Sequence, residues 1–287
     1  MNILITGCNG FIGKSIVPYL SSGHSVLSTN RKILDVLDES SVDEYFVKNK
    51  VDIVIHTAAV GGKRTQKDNE NYYHQNLKMY KNLAKHRDKY KLMIVFGSGA
   101  EYDKTRDLNE VLEEDFDKCK PKDYYGLAKQ EITKNILEIN DNIYNIRIFN
   151  CFGIYEEPQR MIKNSILRYI KKHDIIIHKD KKMDFFYIKD LAKIINFLIE
   201  NGFCKFKQIN ACYAEKHTLC SIAEKINNLE RYKVKISVEE SGISNGYCGS
   251  SSRLSELGLD FIGLENAIEE YYEEINGTRK KKSLVRS

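Results

Sequence analysis

The opening MNILITGCNGFIG leaves this chain little freedom of fold. NILIT (2–6) is a short apolar run rich in β-branched residues, which reads as a buried strand. GCNGFIG follows at once, and an amphipathic stretch from Phe11 to Leu20 reads as a helix. Glycines at 7, 10 and 13 permit a tight turn and close backbone approach. The helix N-terminus then offers N–H groups and the positive end of its dipole to a pyrophosphate. Gly7, Asn9, Gly10, Phe11, Ile12 and Gly13 are therefore expected to cradle a dinucleotide.

The same rhythm continues. Strands are expected at 24–29, 51–59, 91–98 and 142–150, with helices at 39–49, 70–87 and 123–139 between them. Ser40 or Ser41 is the expected cap of the second helix. Strands alternating with helices imply right-handed crossovers, hence an α/β fold with a Rossmann-like doubly wound parallel sheet. Past Asn150 the rhythm loosens, and a smaller α/β C-terminal substrate domain is expected. The expected division is 1–155 plus about 185–205 for the dinucleotide-binding part, and 156–184 with 206–276 for the substrate-binding part.

Composition narrows the class. With 42% apolar and 30% charged residues the chain suits a soluble globular protein. No uncharged apolar run approaches the ~20 residues that span a bilayer. The N-terminus lacks the charged start and cleavage site of a signal peptide, so a cytoplasmic location is expected and no membrane partner. The seven scattered cysteines show no C-x-x-C and are read as reduced thiols. CYAEKHTLC (212–220) lacks the paired short spacings of a structural zinc site, so no metal is expected. The net charge of +5 sits in the tail GTRKKKSLVRS (277–287), which leaves 40 basic against 40 acidic residues elsewhere. That balance argues against a nucleic-acid partner, and the tail is read as a frayed, disordered end.

Strand two ends in LSTNRK, with no carboxylate for a ribose 2′-OH and with Arg31 beside Asn30. A guanidinium welcomes a 2′-phosphate, so NADP(H) is favoured over NAD(H). YGLAK places Tyr125 and Lys129 four apart, on one helix face. A phenol titrates near 10, and a neighbouring ammonium favours its ionised form, which makes the pair a neutral-pH acid or base. Ser98 ends strand four in GSGAEYD, where its hydroxyl can meet the same substrate oxygen. The rest of that stretch is bare of acids and nucleophiles up to Glu101, which is expected to be solvated or to bind a sugar hydroxyl.

GCNGFIG, HTAA (56–59), GSGAEY, YGLAK and RIFNCFG (147–153) together resemble the extended short-chain dehydrogenase/reductase family, in its nucleotide-sugar epimerase/dehydratase branch. Residues 28–62 look most like the GDP-L-fucose synthase-like 4-keto-sugar epimerase/reductases of that branch. The resemblance covers about residues 1–200. It implies that Ser98, Tyr125 and Lys129 are the catalytic set and that Lys129 also holds the nicotinamide ribose. It implies that Leu37, Asp38, Thr57, Ala58 and Ala59 line the cofactor, and that Asn150 touches a nucleotide-diphosphate sugar. Family members often dimerise through the helices expected here at 70–87 and 123–139, which implies a homodimer.

The departures narrow the chemistry. Dehydratases of the branch carry Thr-Asp-Glu where this chain has Ser98, Gly99 and Ala100, and the fucose synthases carry a cysteine at the Ala100 position. Neither a hydrogen atom nor a methyl group transfers a proton. The family's second epimerisation residue, a histidine, has no counterpart in IYEEPQRMIKN, where Glu156 or Glu157 is the nearest substitute. Met183 replaces an arginine that reaches the diphosphate, which leaves Arg160, Lys163 or Arg253 for that task. Gly99 and Ala100 are expected to face the sugar. The resulting expectation is an NADPH-dependent reduction at C4 of a nucleotide-linked keto-sugar. A nucleotide-sugar 4-epimerase and a non-catalytic NADP-binding regulator are the alternatives.

Overall fold

The computed structural model describes residues 1–62, 67–139 and 141–284, the last seven of these by backbone alone. The first half builds β1 (Asn2–Thr6), α1 (Phe11–Ser21), β2 (Ser25–Ser28), α2 (Glu39–Lys48), β3 (Ile53–His56), α3 (Glu70–Ala84), β4 (Leu92–Ser98), β5 (Leu108–Val111) and α4 (Tyr124–Ile139). The second half builds β6 (Ile143–Ile148), β7 (Cys151–Phe152), α5 (Met161–Ile170), β8 (Ile175–Asp180), β9 (Phe186–Tyr187), α6 (Ile188–Asn201), β10 (Gln208–Ala211), α7 (Leu219–Asn227), β11 (Ile236–Ile243), β12 (Tyr247–Gly249), α8 (Ser252–Ser255) and α9 (Leu264–Leu284).

Six strands form one parallel sheet in the order β10-β6-β4-β3-β1-β2. Its apolar residues sort by the two-residue period of a strand. Ile3, Ile5, Ile53, Ile55, Ile94 and Phe96 enter the core with α1, α6 and the later elements. Leu4, Val54, Met93 and Val95 enter the core under α2, α3 and α4. Both faces are covered, which is why these strands read as continuous apolar runs. Helices α3 and α4 lie side by side, joined by the Tyr80 hydroxyl donating to Asn135 Oδ1 at 2.9 Å.

The sheet order reverses between β1 and β3, so their C-terminal ends open a crevice there. The later elements add three two-stranded parallel pairs, β8 with β11, β5 with β12 and β7 with β9. β10 is the sixth strand of the main sheet, although the sequence expectation groups it with 206–276 on the substrate side. The core beside α1 also takes in Ile222 of α7 and Ile268 of α9, so the two expected parts share one apolar cluster. Asp38, not Ser40 or Ser41, caps α2 by accepting from the Ser40 N–H. Helix α9 runs on to Leu284, into the basic segment expected to fray, and 285–287 lie outside the described residues. All seven cysteines are free. Among the described residues, no helix is long and apolar enough to cross a membrane.

Candidate active site

The glycine loop links β1 to α1 at the mouth of the crevice. Gly7 has φ +72°, and a Cβ there would lie 2.6 Å from the Ala58 nitrogen. A Cβ on Gly13 would lie 2.5 Å from the Gly7 carbonyl and 2.8 Å from Thr57 Oγ1. The turn thus packs against the end of β3 with no room for side chains. Thr57 locks that end by donating to the Thr6 carbonyl at 2.7 Å. Gly10 caps α1 without a side-chain bond, so no side chain takes the first-turn N–H groups, which are open to an anion. The Cys8 thiol donates to the Thr29 carbonyl at 2.8 Å, tying the loop to the end of β2. Asn30 and Arg31 follow there, both exposed, with Asn30 Oδ1 accepting from the Lys32 N–H at 2.9 Å to form the turn. Leu37 donates its N–H to Asp35, and Asp38 is exposed at the start of α2. Ala58 and Ala59 follow β3, and the Ala58 nitrogen packs on Gly7. These residues fit a dinucleotide.

The end of β4 and the start of α4 bring Ser98, Tyr125 and Lys129 into one region. Ser98 ends β4, its hydroxyl near enough to the Tyr125 phenol to favour ionisation. Lys129 lies one turn along α4, its Nζ 5.7 Å from the centre of the Tyr125 ring and donating to the Phe96 carbonyl at 2.7 Å. Burial pushes the lysine down to about 8, with the Glu101 charge pulling the other way. Burial pushes the Tyr125 phenol up to about 12, and the Ser98 hydroxyl lowers it only in part. In the protein alone, desolvation therefore outweighs the Ser98 hydroxyl, and the phenol keeps its proton. His56 is buried below, its Nδ1 2.8 Å from Thr6 Oγ1, and burial with Lys129 nearby holds it neutral, down at about 3. Tyr124 is exposed, and its N–H donates to Asp68.

Glu101 corrects the sequence reading. It is neither solvated nor turned to a sugar: it is fully buried and pairs with buried Arg147 at 2.7 Å. Its Oε1 accepts the Ser98 N–H at 2.9 Å, and its Oε2 accepts from Thr133 at 2.8 Å. Ala100 N–H donates to Ser98 Oγ at 3.1 Å. Ser98 thus caps a 3-10 turn (Gly99–Glu101) and faces Tyr125 at once, while Glu101 anchors that turn to β6. Arg147 and Asn145 occupy the β6 face opposite Tyr144, Ile146 and Ile148, which explains a charged residue in a central strand.

A profile of the NAD dependent epimerase/dehydratase family matches residues 3–212. The chain belongs to that family. The GDP-L-colitose synthase of Yersinia pseudotuberculosis is 27% identical over 259 residues, 81% of this chain and 83% of that protein. The GDP-6-deoxy-D-talose 4-dehydrogenase of Aggregatibacter actinomycetemcomitans is 25% identical over 95% of this chain and 97% of its own length. The fold is shared with a Campylobacter jejuni GDP-mannoheptose C4 reductase solved with NADP bound, at a TM-score of 0.77 and 17% identity, covering 96% of this chain and 98% of that one.

In this epimerase/dehydratase family enzyme the expected substrate residues fare unevenly. Asn150 is buried, and its amide donates to the Asp184 carbonyl at 2.8 Å. Arg160 pairs with Glu156 at 3.5 Å. Arg253 is held by Glu114 at 2.9 Å and by Glu113 at 3.7 Å, with its guanidinium over Phe206. Lys163 donates to the Ile154 and Glu156 carbonyls. Glu156 is buried and accepts from the Tyr271 hydroxyl at 3.1 Å, so it serves the packing of α9.

Burial raises the Glu156 carboxyl from 4.5 to about 7, with Arg160 opposing. The native state therefore holds a proton that the unfolded chain gives up. The stability this allows is complete below about pH 4.5 and is lost as pH rises toward 7. Glu156→Gln is expected to flatten that slope and to raise stability at pH 7.5 by about 1–2 kcal/mol. Urea denaturation at pH 4.5 and 7.5 measures both.

Sequence reasoning missed Tyr247. It arrives on β12, and its hydroxyl comes over the turn that follows Ser98. A Cβ on Gly99 would lie 2.6 Å from this hydroxyl. Nothing in GYCG marks it, since the contact joins segments about 150 residues apart.

Proposed function

We propose that this enzyme reduces the C4 ketone of a nucleotide-diphosphate-linked sugar with NADPH. The observation that carries the reading is Tyr125 with Lys129 Nζ 5.7 Å from its ring and Ser98 at the end of β4, beside Gly99 and Ala100, whose side chains have no proton to give or take. Bound NADPH supplies the hydride. As the carbonyl carbon accepts it, the C=O electron pair moves to oxygen, and that oxygen takes the Tyr125 proton. The phenolate so formed is stabilised by the Ser98 hydroxyl and by the Lys129 charge. Solvent then returns the proton. Arg31 beside the phosphate loop supports NADPH over NADH. The names of the relatives support a GDP-linked substrate, and α3 with α4 offers the face for a homodimer.

The test is NADPH oxidation at 340 nm with 4-keto sugars linked to GDP, dTDP, UDP and CDP. Turnover of at least one is expected, with cofactor that exchanges on desalting. No turnover across the panel overturns the reading. Nicotinamide that stays bound through desalting, together with interconversion of 4-hydroxyl epimers, would replace it with a 4-epimerase.

A further inference from the structure

Tyr125, Lys129 and Thr133 follow one another at spacings of four along α4, so they share one helix face. The first two belong to the reaction, and the third has had no role so far. Thr133 is fully buried, and its hydroxyl makes two bonds. It accepts from Asn145 Nδ2 at 2.7 Å and donates to Glu101 Oε2 at 2.8 Å. The direction is fixed by chemistry: an amide nitrogen only donates, and a carboxylate only accepts. Gln130, also buried on α4, donates to the Glu101 carbonyl at 3.2 Å and to the Phe116 and Cys119 carbonyls at 2.7 and 2.9 Å.

Glu101 divides its carboxylate between two parts of the site. Oε1 accepts the Ser98 N–H at 2.9 Å. Oε2 accepts from Thr133 and from Arg147 Nε and Nη2, at 2.9 and 2.7 Å for the arginine. The bonds to Arg147 tie the turn after Ser98 to β6. The bonds from Thr133 and Gln130 tie the same turn to the helix that carries Tyr125 and Lys129. The fit leaves no slack. A side chain on Gly97 would run into the Glu101 carboxylate, and one on Gly126 into the Ala100 carbonyl.

We propose that Glu101 is a positioning residue: with Ser98 N–H on one oxygen and the Thr133 hydroxyl on the other, it sets the place of Ser98 against the Tyr125–Lys129 face of α4. This rests on the reading of Ser98 and Tyr125 as acting on one ketone oxygen. A hydroxyl on a strand end and a phenol on a helix work together only if strand and helix keep their spacing. A misplacement of about 1 Å costs up to about 10²-fold in rate.

The test is made at Thr133, because removing the Glu101 charge alone also strands Arg147. Thr133→Val keeps the shape and removes the hydroxyl. Thr133→Ser keeps the hydroxyl and removes a buried methyl group. Thr133→Val is expected to lower kcat for ketone reduction about fivefold, with KM and NADPH affinity within about twofold of wild type. Thr133→Ser is expected to keep kcat within about twofold, although the lost methyl weakens the fold. In the Glu101→Leu, Arg147→Met background, Thr133→Val should change kcat by less than about twofold, because the link is already cut. A Thr133→Val enzyme with wild-type kcat, a Thr133→Ser enzyme that loses as much, or a full loss that persists without Glu101 overturns the proposal. If wild type reduces none of the panel ketones, the functional reading falls by itself. Hydrogen exchange over residues 96–102 then decides the link: it is expected to be about threefold faster in Thr133→Val than in Thr133→Ser, and equal rates overturn it.

Discussion

Tyr125→Phe is expected to lower kcat for ketone reduction about 10³-fold, in the range of a lost general acid. NADPH affinity should stay within about twofold of wild type, because the ring remains and only the hydroxyl goes. The separation matters. Gly62 has φ +74°, and a Cβ there would lie 3.0 Å from the Tyr125 ring, so the ring also supports the loop after β3. Phenylalanine preserves that contact and isolates the chemistry. Steady-state kinetics with a ketone that wild type reduces, beside a titration of NADPH fluorescence, measure the two effects. A variant that keeps more than about a tenth of wild-type kcat would remove Tyr125 from the acid role.

The largest effect on stability is expected at Glu101. Glu101→Gln leaves the Arg147 guanidinium buried without its carboxylate, and removing one partner of such a pair costs about 3–5 kcal/mol. Arg147 keeps other partners: Nη1 donates to Asn210 Oδ1 at 3.0 Å, and Nη2 donates to Gln208 Oε1 at 2.7 Å. These hold the Nη1 and Nη2 ends, while Nε–H donates to Glu101 and, among the described residues, the charge has no other carboxylate at hydrogen-bond distance. The double variant Glu101→Leu with Arg147→Met removes both charges and should recover much of the loss. Urea unfolding followed by circular dichroism checks the order: wild type most stable, the double variant next, Glu101→Gln least. If Glu101→Gln unfolds like wild type, the pair is not what anchors the Ser98 turn.

Local patterns were legible in the sequence. The glycine loop, the parallel sheet and the Tyr125–Lys129 face follow from period, spacing and turn chemistry, which a short window contains. Asp38 against Ser40 as a cap was not, because neighbouring polar residues compete for one N–H and the window does not rank them. Strands β5 and β12 have four and three residues, too few for a period to show. Glu101 looked free because its partner lies on β6, and Tyr247 looked unremarkable because the turn it covers follows β4. A carboxylate is known by what it faces, and those facing groups are far along the chain. The bareness of GSGA was visible, but the tyrosine that fills the space above it was not.

The late arrival of β12 has a consequence for how the enzyme comes off the ribosome. The phosphate loop, Ser98, Tyr125 and Lys129 all lie before residue 130, and β10 completes the main sheet by residue 211. Tyr247 emerges last and docks onto a turn made long before it. The glycine loop and the Ser98, Tyr125 and Lys129 group thus belong to the early part of the nascent chain, and the tyrosine that covers their turn to a much later part.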